Sequence, residues 1–176
     1  MAIWVSSLAM APKLAATHKP ARIVSLLSPY DTFPDFAGFG PDRHLRVPIH
    51  DIAQDIGDWR APDLSDAESL IAFVDTWDSQ TPILFHCWAG ISRSSASAFI
   101  TACLHNPGAD EEEIAWAIRD ASPTASPNPR LIAHADAVMG RNGRMEAAIQ
   151  AIGRGEIADE ARPFSISPTF GARQQP

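Results

Sequence analysis

The residues from Cys87 to Arg93 have the types and the spacing to hold an oxyanion and attack it. Pro82-Ile-Leu-Phe-His86-Cys87 is an apolar run that reads as a strand, and it ends on a cysteine. Trp88-Ala89-Gly90-Ile91-Ser92-Arg93-Ser94 follows as a short loop containing a glycine, and Ala96-Ser-Ala-Phe-Ile-Thr-Ala-Cys-Leu104 then reads as a helix. Strand, tight loop and helix N-terminus together make an anion cradle, because loop amides and the helix dipole both favour negative charge at that point. In such a field a cysteine drops from a pKa of about 8.5 to roughly 3.5–7.5 and becomes a thiolate nucleophile. Gly90 permits a backbone sign change that lets successive N–H groups converge. Arg93 supplies a planar fork that matches two oxygens of a phosphate. Ser94 places a hydroxyl beside the sulfur, where it improves the thiolate as a leaving group in a second step. His86 reads as a buried hydrogen-bonding support for the loop rather than as a base. Trp88, Ala89, Gly90, Ile91, Ser92 and Arg93 form the expected substrate-binding loop.

Positioning that loop requires a layered α/β structure. Apolar runs at 3–5, 22–27, 45–49 and 82–86 read as strands with helices between or after them, which predicts a central, mainly parallel sheet of four to five strands flanked by helices. Ser65 and Glu68 have capping-box spacing before an apolar stripe of Leu70, Ile71, Phe73, Val74 and Trp77. A further helix starts at Asp110 with Glu113 three residues on, and others run over about 130–139 and 144–152. The pattern predicts one domain over 1–153 and a poorly ordered tail over 154–176, where prolines recur without periodicity. Two long connections, Ser28–His44 and Asp51–Asp63, are candidates for functional loops.

Composition narrows the partners. Fourteen basic against twenty-one acidic residues give a net charge of −7, with the basic residues scattered, which argues against a nucleic-acid surface. No run of apolar residues is long enough to span a membrane. Ala9 and Ala11 resemble a leader-cleavage pattern, but Lys13 follows the apolar stretch instead of preceding it, and a strand running into a helix is the preferred reading. The two cysteines, Cys87 and Cys103, are too few for a disulfide framework and fit a reducing cytoplasm. Cys103, among Phe99, Ile100 and Leu104, reads as core. About ten helical residues separate it from the loop, too far for a bridge to Cys87. His18, His44, His50, His105 and His134 show no ligand spacing, so neither a metal nor an organic cofactor is expected.

His86-Cys87-Trp-Ala-Gly90-Ile-Ser-Arg93-Ser94 resembles the His-Cys-x5-Arg-Ser/Thr signature of the protein tyrosine phosphatase superfamily, and its Ala-Gly-x-Ser-Arg-Ser portion is similar to the dual-specificity branch, of a bacterial type. The resemblance covers roughly residues 20–140 and is specific at 86–94. It implies a phosphatase fold, a phosphocysteine intermediate and a general-acid aspartate upstream. Leu45-Arg-Val-Pro-Ile-His-Asp51 is a strand whose end falls on the sheet edge that carries Cys87, so Asp51 is preferred as the acid. Asp55 and Asp58 lie on the same loop as alternatives. The Asp51 to Cys87 separation is slightly longer than is typical of the family, which keeps Asp55 open. Asn128, in Ser126-Pro-Asn128, resembles the Pro-Asn segment of that branch and is expected to support the site by side-chain hydrogen bonding, with a helix N-cap before Arg130 as the other reading.

These features predict hydrolysis of phosphate monoesters, foremost phosphotyrosine of a phosphorylated protein and then phosphoserine or phosphothreonine, with inorganic phosphate or sulfate able to occupy the loop. The uncharged loop argues against a multiply phosphorylated inositol. Two other classes compete: a phosphate-binding module without turnover, and a sulfurtransferase or arsenate reductase built on the same cysteine. Trp59, Phe33, Phe36 and Phe39 either wall a phosphotyrosine pocket or, by preference, anchor their loops.

Overall fold

The computed structural model describes residues 1–172. In chain order the elements are β1 (Ile3–Ser7), α1 (Ala11–His18), β2 (Arg22–Leu27), β3 (His44–Pro48), α2 (Leu64–Asp75), β4 (Ile83–Cys87), α3 (Arg93–His105), α4 (Glu111–Ala121), α5 (Pro129–Val138), α6 (Arg144–Ile152) and β5 (Phe164–Ile166). The five strands form one sheet in the order β3-β2-β4-β1-β5. The first four are mutually parallel and β5 runs antiparallel on β1. The expected α/β architecture with a mainly parallel sheet is therefore the observed one.

Strand alternation divides the sheet residues between two unequal faces. Val5, Val24, Leu26, Val47, Phe85 and Cys87 belong to the large core, which α2 to α6 cover. Ile23 and Leu84 face the other way, into a smaller cluster closed by Ala11 and Leu14 of α1 and by Phe36 of the connection after β2. Residues adjacent in β4 thus part company at the motif: Cys87 joins the large core, and His86 lies on the smaller face. α3 runs through the middle of the large core, with every residue from Arg93 to Cys103 buried.

Two local expectations are corrected. The capping box of α2 is formed by Asp63 and Asp66 instead of Ser65 and Glu68, because Ser65 already lies inside the helix and donates its hydroxyl to Asp63. The segment from Arg154 is not a loose appendage. Gly155 N–H donates to Ser126 Oγ at 2.9 Å, Glu156 N–H donates to the Pro123 carbonyl at 2.9 Å, and Phe164–Ile166 completes the sheet. Its helix-poor sequence concealed a strand of three residues, too short for alternation to register. Residues 173–176 of the expected tail lie outside the described residues. Among the described residues no helix is long and apolar enough to cross a membrane, and no group of three His, Cys, Asp or Glu side chains could hold a metal.

Candidate active site

Cys87 ends β4 and Arg93 begins α3, so strand and helix fix the two ends of the loop. Between them four carbonyls are tied to three other segments of the chain. The Trp88 oxygen accepts from Leu8 N–H (3.1 Å), Ala89 from Ala161 N–H (2.9 Å), Ile91 from Ser126 N–H (3.0 Å) and Ser92 from Asn128 N–H (3.3 Å). In a planar trans peptide the C=O of one residue and the N–H of the next point to opposite sides. These four bonds therefore turn the amides of Ala89, Gly90, Ser92 and Arg93 toward the loop's free side. Gly90 has φ +75°, and a Cβ there would lie 2.8 Å from the Ser6 carbonyl carbon and the Ser7 nitrogen. Both the left-handed conformation and the approach to β1 restrict this position to glycine.

Around this cradle stand the expected side chains. Cys87 is buried, with Sγ 3.1 Å from Ser94 Oγ. The buried Arg93 donates from Nη1 to the Ile49 carbonyl at 2.8 Å, while its Nε is buried without a hydrogen bond and lies 3.7 Å from Asp51 Oδ2. Asp51 Oδ1 accepts from Ser92 Oγ–H at 2.6 Å and from Asn128 Nδ2 at 3.1 Å. Asn128 also caps α5, its Oδ1 accepting from Arg130 N–H and Leu131 N–H. Both sequence readings of Asn128 thus describe the same side chain. Trp88 is 61% exposed and projects from the loop.

The alternatives to Asp51 sit elsewhere. Asp55 accepts from Ala61 N–H at 2.8 Å and from Arg130 Nη2 at 3.3 Å, which makes it a brace of its own loop. Asp58 is exposed in the turn of that loop. Trp59 stacks on His50 with ring centres 5.1 Å apart, and Phe39 lies under the Arg43 guanidinium. Phe36 packs edge-on against both His44 and His86. These aromatics anchor their loops. Burial pushes the Cys103 thiol up, in keeping with a core residue.

His86 is fully buried, and burial followed by the nearby His44 lowers its pKa to about 4. At neutral pH it is uncharged. Its Nε2 lies 2.6 Å from Ser25 Oγ, which is also 2.8 Å from His44 Nε2. Neither Ser25 nor His44 was singled out from the sequence, although a serine inside Arg22-Ile-Val-Ser25-Leu-Leu27 is a signal: a polar group in a central apolar strand needs a partner. Ala161 was missed too, since a backbone donor carries no side-chain signature.

No protein-family model matches the chain, and no curated protein matches it. Solved structures do. Superposition on a crystal structure of DUSP15 gives a TM-score of 0.61 with 19% identity, covering 84% of this chain and 88% of that one. Human DUSP28 gives 0.56 with 22% identity over 85% and 94%. The Yvh1 phosphatase domain from Chaetomium thermophilum gives 0.57 with 20% identity over 80% and 92%. The chain has the fold of these dual-specificity phosphatases.

Proposed function

We propose that the chain hydrolyses phosphate monoesters, foremost phosphotyrosine of a phosphorylated protein, in a double displacement on Cys87. The Cys87 thiolate attacks phosphorus in line, and the sulfur–phosphorus bond forms as the bond to the leaving oxygen breaks. The amides of the Cys87–Arg93 loop and the Arg93 guanidinium stabilise the equatorial oxygens, where charge is greatest in the transition state. Asp51 protonates the leaving oxygen. Because Oδ1 of Asp51 already accepts two hydrogen bonds, Oδ2 is the oxygen that carries the proton. Water then attacks the phosphocysteine, Asp51 takes its proton, and the thiolate leaves with Ser94 Oγ–H donating to sulfur.

The observation that carries this reading is the set of outward-tied carbonyls at Trp88, Ala89, Ile91 and Ser92. A cysteine in a core needs no such arrangement, and a loop that only bound phosphate would need neither Cys87 beside Ser94 nor Asp51 beside Arg93. No step calls for a metal or a cofactor. The protein is expected to act as a soluble cytoplasmic enzyme, with no nucleic-acid or membrane partner.

The test is turnover of an aryl phosphate by purified protein and by Cys87→Ser. The substituted protein should lose all measurable hydrolysis while still binding phosphate or vanadate, since serine forms no alkoxide at neutral pH. Substantial hydrolysis by Cys87→Ser would remove cysteine from the mechanism.

A further inference from the structure

The carboxyl edge of the sheet carries aromatic side chains that the proposed chemistry leaves unused. β3, β2 and β4 are parallel neighbours, so the segments that follow them all start from the edge that carries Cys87. β3 leads into His50 and the loop from Asp51, β2 into the turn Ser28–Asp31, and β4 into Trp88. Four large aromatic side chains are exposed among the described residues, and three of them, Tyr30 (78%), Trp59 (55%) and Trp88 (61%), stand on these segments. Ile56 (63% exposed) shares the turn of Trp59, the two residues exchanging backbone hydrogen bonds. A single exposed aromatic needs no explanation, whereas a gathered set marks a binding surface.

These side chains are held in place. Trp59 stacks on the buried His50 ring with centres 5.1 Å apart, and Tyr30 leans on the same ring at 5.7 Å. His50 is fixed in turn, its Nδ1 accepting from Arg60 N–H at 3.1 Å. The turn that presents Tyr30 is closed twice, by Asp31 N–H donating to the Ser28 carbonyl and by Ser28 N–H donating to the Asp31 carboxylate, both at 3.0 Å. Trp88 is secured through its carbonyl, which accepts from Leu8 N–H. An aromatic surface whose backbone is already ordered binds at low entropic cost.

Charge decides what such a rim accepts. The cations near it are engaged: Arg60 with Asp63 and Asp66, Arg130 with Asp55 and the Pro62 carbonyl, and Arg93 with the Ile49 carbonyl. The charges beside the aromatics are carboxylates, Asp31 next to Tyr30 and Asp58 next to Trp59. They repel acidic groups, and exposed carboxylates gain little from a basic partner, whereas aromatic faces gain from every apolar group they cover. We infer that Tyr30, Trp59 and Trp88 are specificity-determining residues, which receive the side chains flanking the phosphorylated residue, so that the preferred substrate is a phosphotyrosyl segment with large apolar neighbours rather than charged ones. The inference deepens the proposed function and rests on reading the Cys87–Arg93 loop as a phosphate site.

Binding to Cys87→Ser, which should not turn substrate over, tests it. Three phosphotyrosyl peptides of one length are compared, with leucine and phenylalanine, aspartate and glutamate, or lysine and arginine beside the phosphotyrosine. At about 0.5 M salt, where the long-range field of the net charge of −7 is screened, calorimetry should show the apolar peptide binding about tenfold more tightly than the acidic one, and more tightly than the basic one. Adding Tyr30→Ala or Trp88→Ala should lower the apolar-to-acidic ratio about fivefold, and Tyr30→Phe, which keeps the ring, should hold it within about twofold. In turnover by the native chain the preference should lie in KM and not in kcat, because contacts made away from the reacting phosphate act alike in the ground and transition states. Equal binding of the three peptides, tighter binding of the acidic or the basic one, or a ratio that Tyr30→Ala and Trp88→Ala both leave unchanged would overturn the inference. The two readings fail separately. Equal hydrolysis of all three peptides by the native chain, with equal KM, would remove the rim and leave the phosphatase. A binding preference with no hydrolysis of any peptide would remove the phosphatase and leave the rim.

Discussion

Two loops meet at the site, and they are held in opposite ways. The loop from Cys87 to Arg93 is short, sits between a buried strand and a buried helix, and gives up its carbonyls to Leu8 just after β1, the Ser122–Asn128 connection and the chain after α6. The loop from Asp51 to Asp63 is exposed along Ala53–Trp59 and is fixed at its ends: Ser92 and Asn128 hold Asp51, and Arg60 bridges Asp63 and Asp66 at the start of α2. Cys87, the proposed nucleophile, lies within the core, so changes around it should couple catalysis to stability. On the proposed mechanism the acid, Asp51, is carried on a segment exposed over most of its length, so changes there should register mainly in rate.

The largest effect is expected at Gly90. Gly90→Ala combines a left-handed residue with contacts of 2.8 Å to the β1 backbone. It should cost about 2–5 kcal/mol, lower Tm by roughly 5–15 °C and reduce kcat by about 100-fold or more, because loop and strand must move apart. Native stability in Gly90→Ala would show that the loop is less tightly built into the sheet than its contacts indicate.

A second expectation separates the two loops. Asp51→Asn should leave Tm within a few degrees and slow phosphotyrosine-like esters by about 100-fold, with a smaller loss for an aryl phosphate whose phenol is strongly acidic and needs little protonation. Asp55→Asn should reverse the balance: it weakens the contacts to Ala61 and Arg130, lowers stability by about 1 kcal/mol and changes rate only a few-fold. Selective loss on poor leaving groups in Asp55→Asn, and none in Asp51→Asn, would transfer the acid to Asp55.

The effect confined to the narrowest range of conditions is on stability against pH. His86 binds its proton at about 4 when folded and near the ordinary 6.5 when unfolded. Between those values the unfolded chain holds more protons, so stability is full above about pH 6.5 and falls as pH drops through the window toward 4, by about 3 kcal/mol from this ring. Denaturant unfolding at a series of pH values measures it. His86→Asn, which does not titrate there, should reduce the slope of that part of the curve and leave the part that His44, also lowered to about 4, contributes.

Much of the fold and site was legible because it rests on local signals. Alternation and short apolar runs gave four strands, and Cys87, Gly90 and Arg93 declare an anion loop through residue types that chemistry ties to fixed spacings. What remained hidden is non-local or carried by backbone. The β5 strand is three residues long and gains its place from β1. Ala161 acts through an N–H that every residue but proline possesses. Ser25 and His44 lie 61 and 42 positions before His86, and only the strand order β3-β2-β4 brings them together. The helix cap at Asp63 was displaced by two residues from the expected Ser65 because serine and aspartate both cap and pattern alone does not rank them.

The most direct test of the account is whether phosphate passes through Cys87. Protein mixed with an activated aryl phosphate and quenched in acid on the timescale of the first turnover should carry one phosphoryl group on the peptide containing Cys87, detectable by mass spectrometry, and Cys87→Ser should carry none. Turnover at the native rate with no phosphorylated cysteine at any quench time, or a phosphoryl group found on another residue, would contradict it.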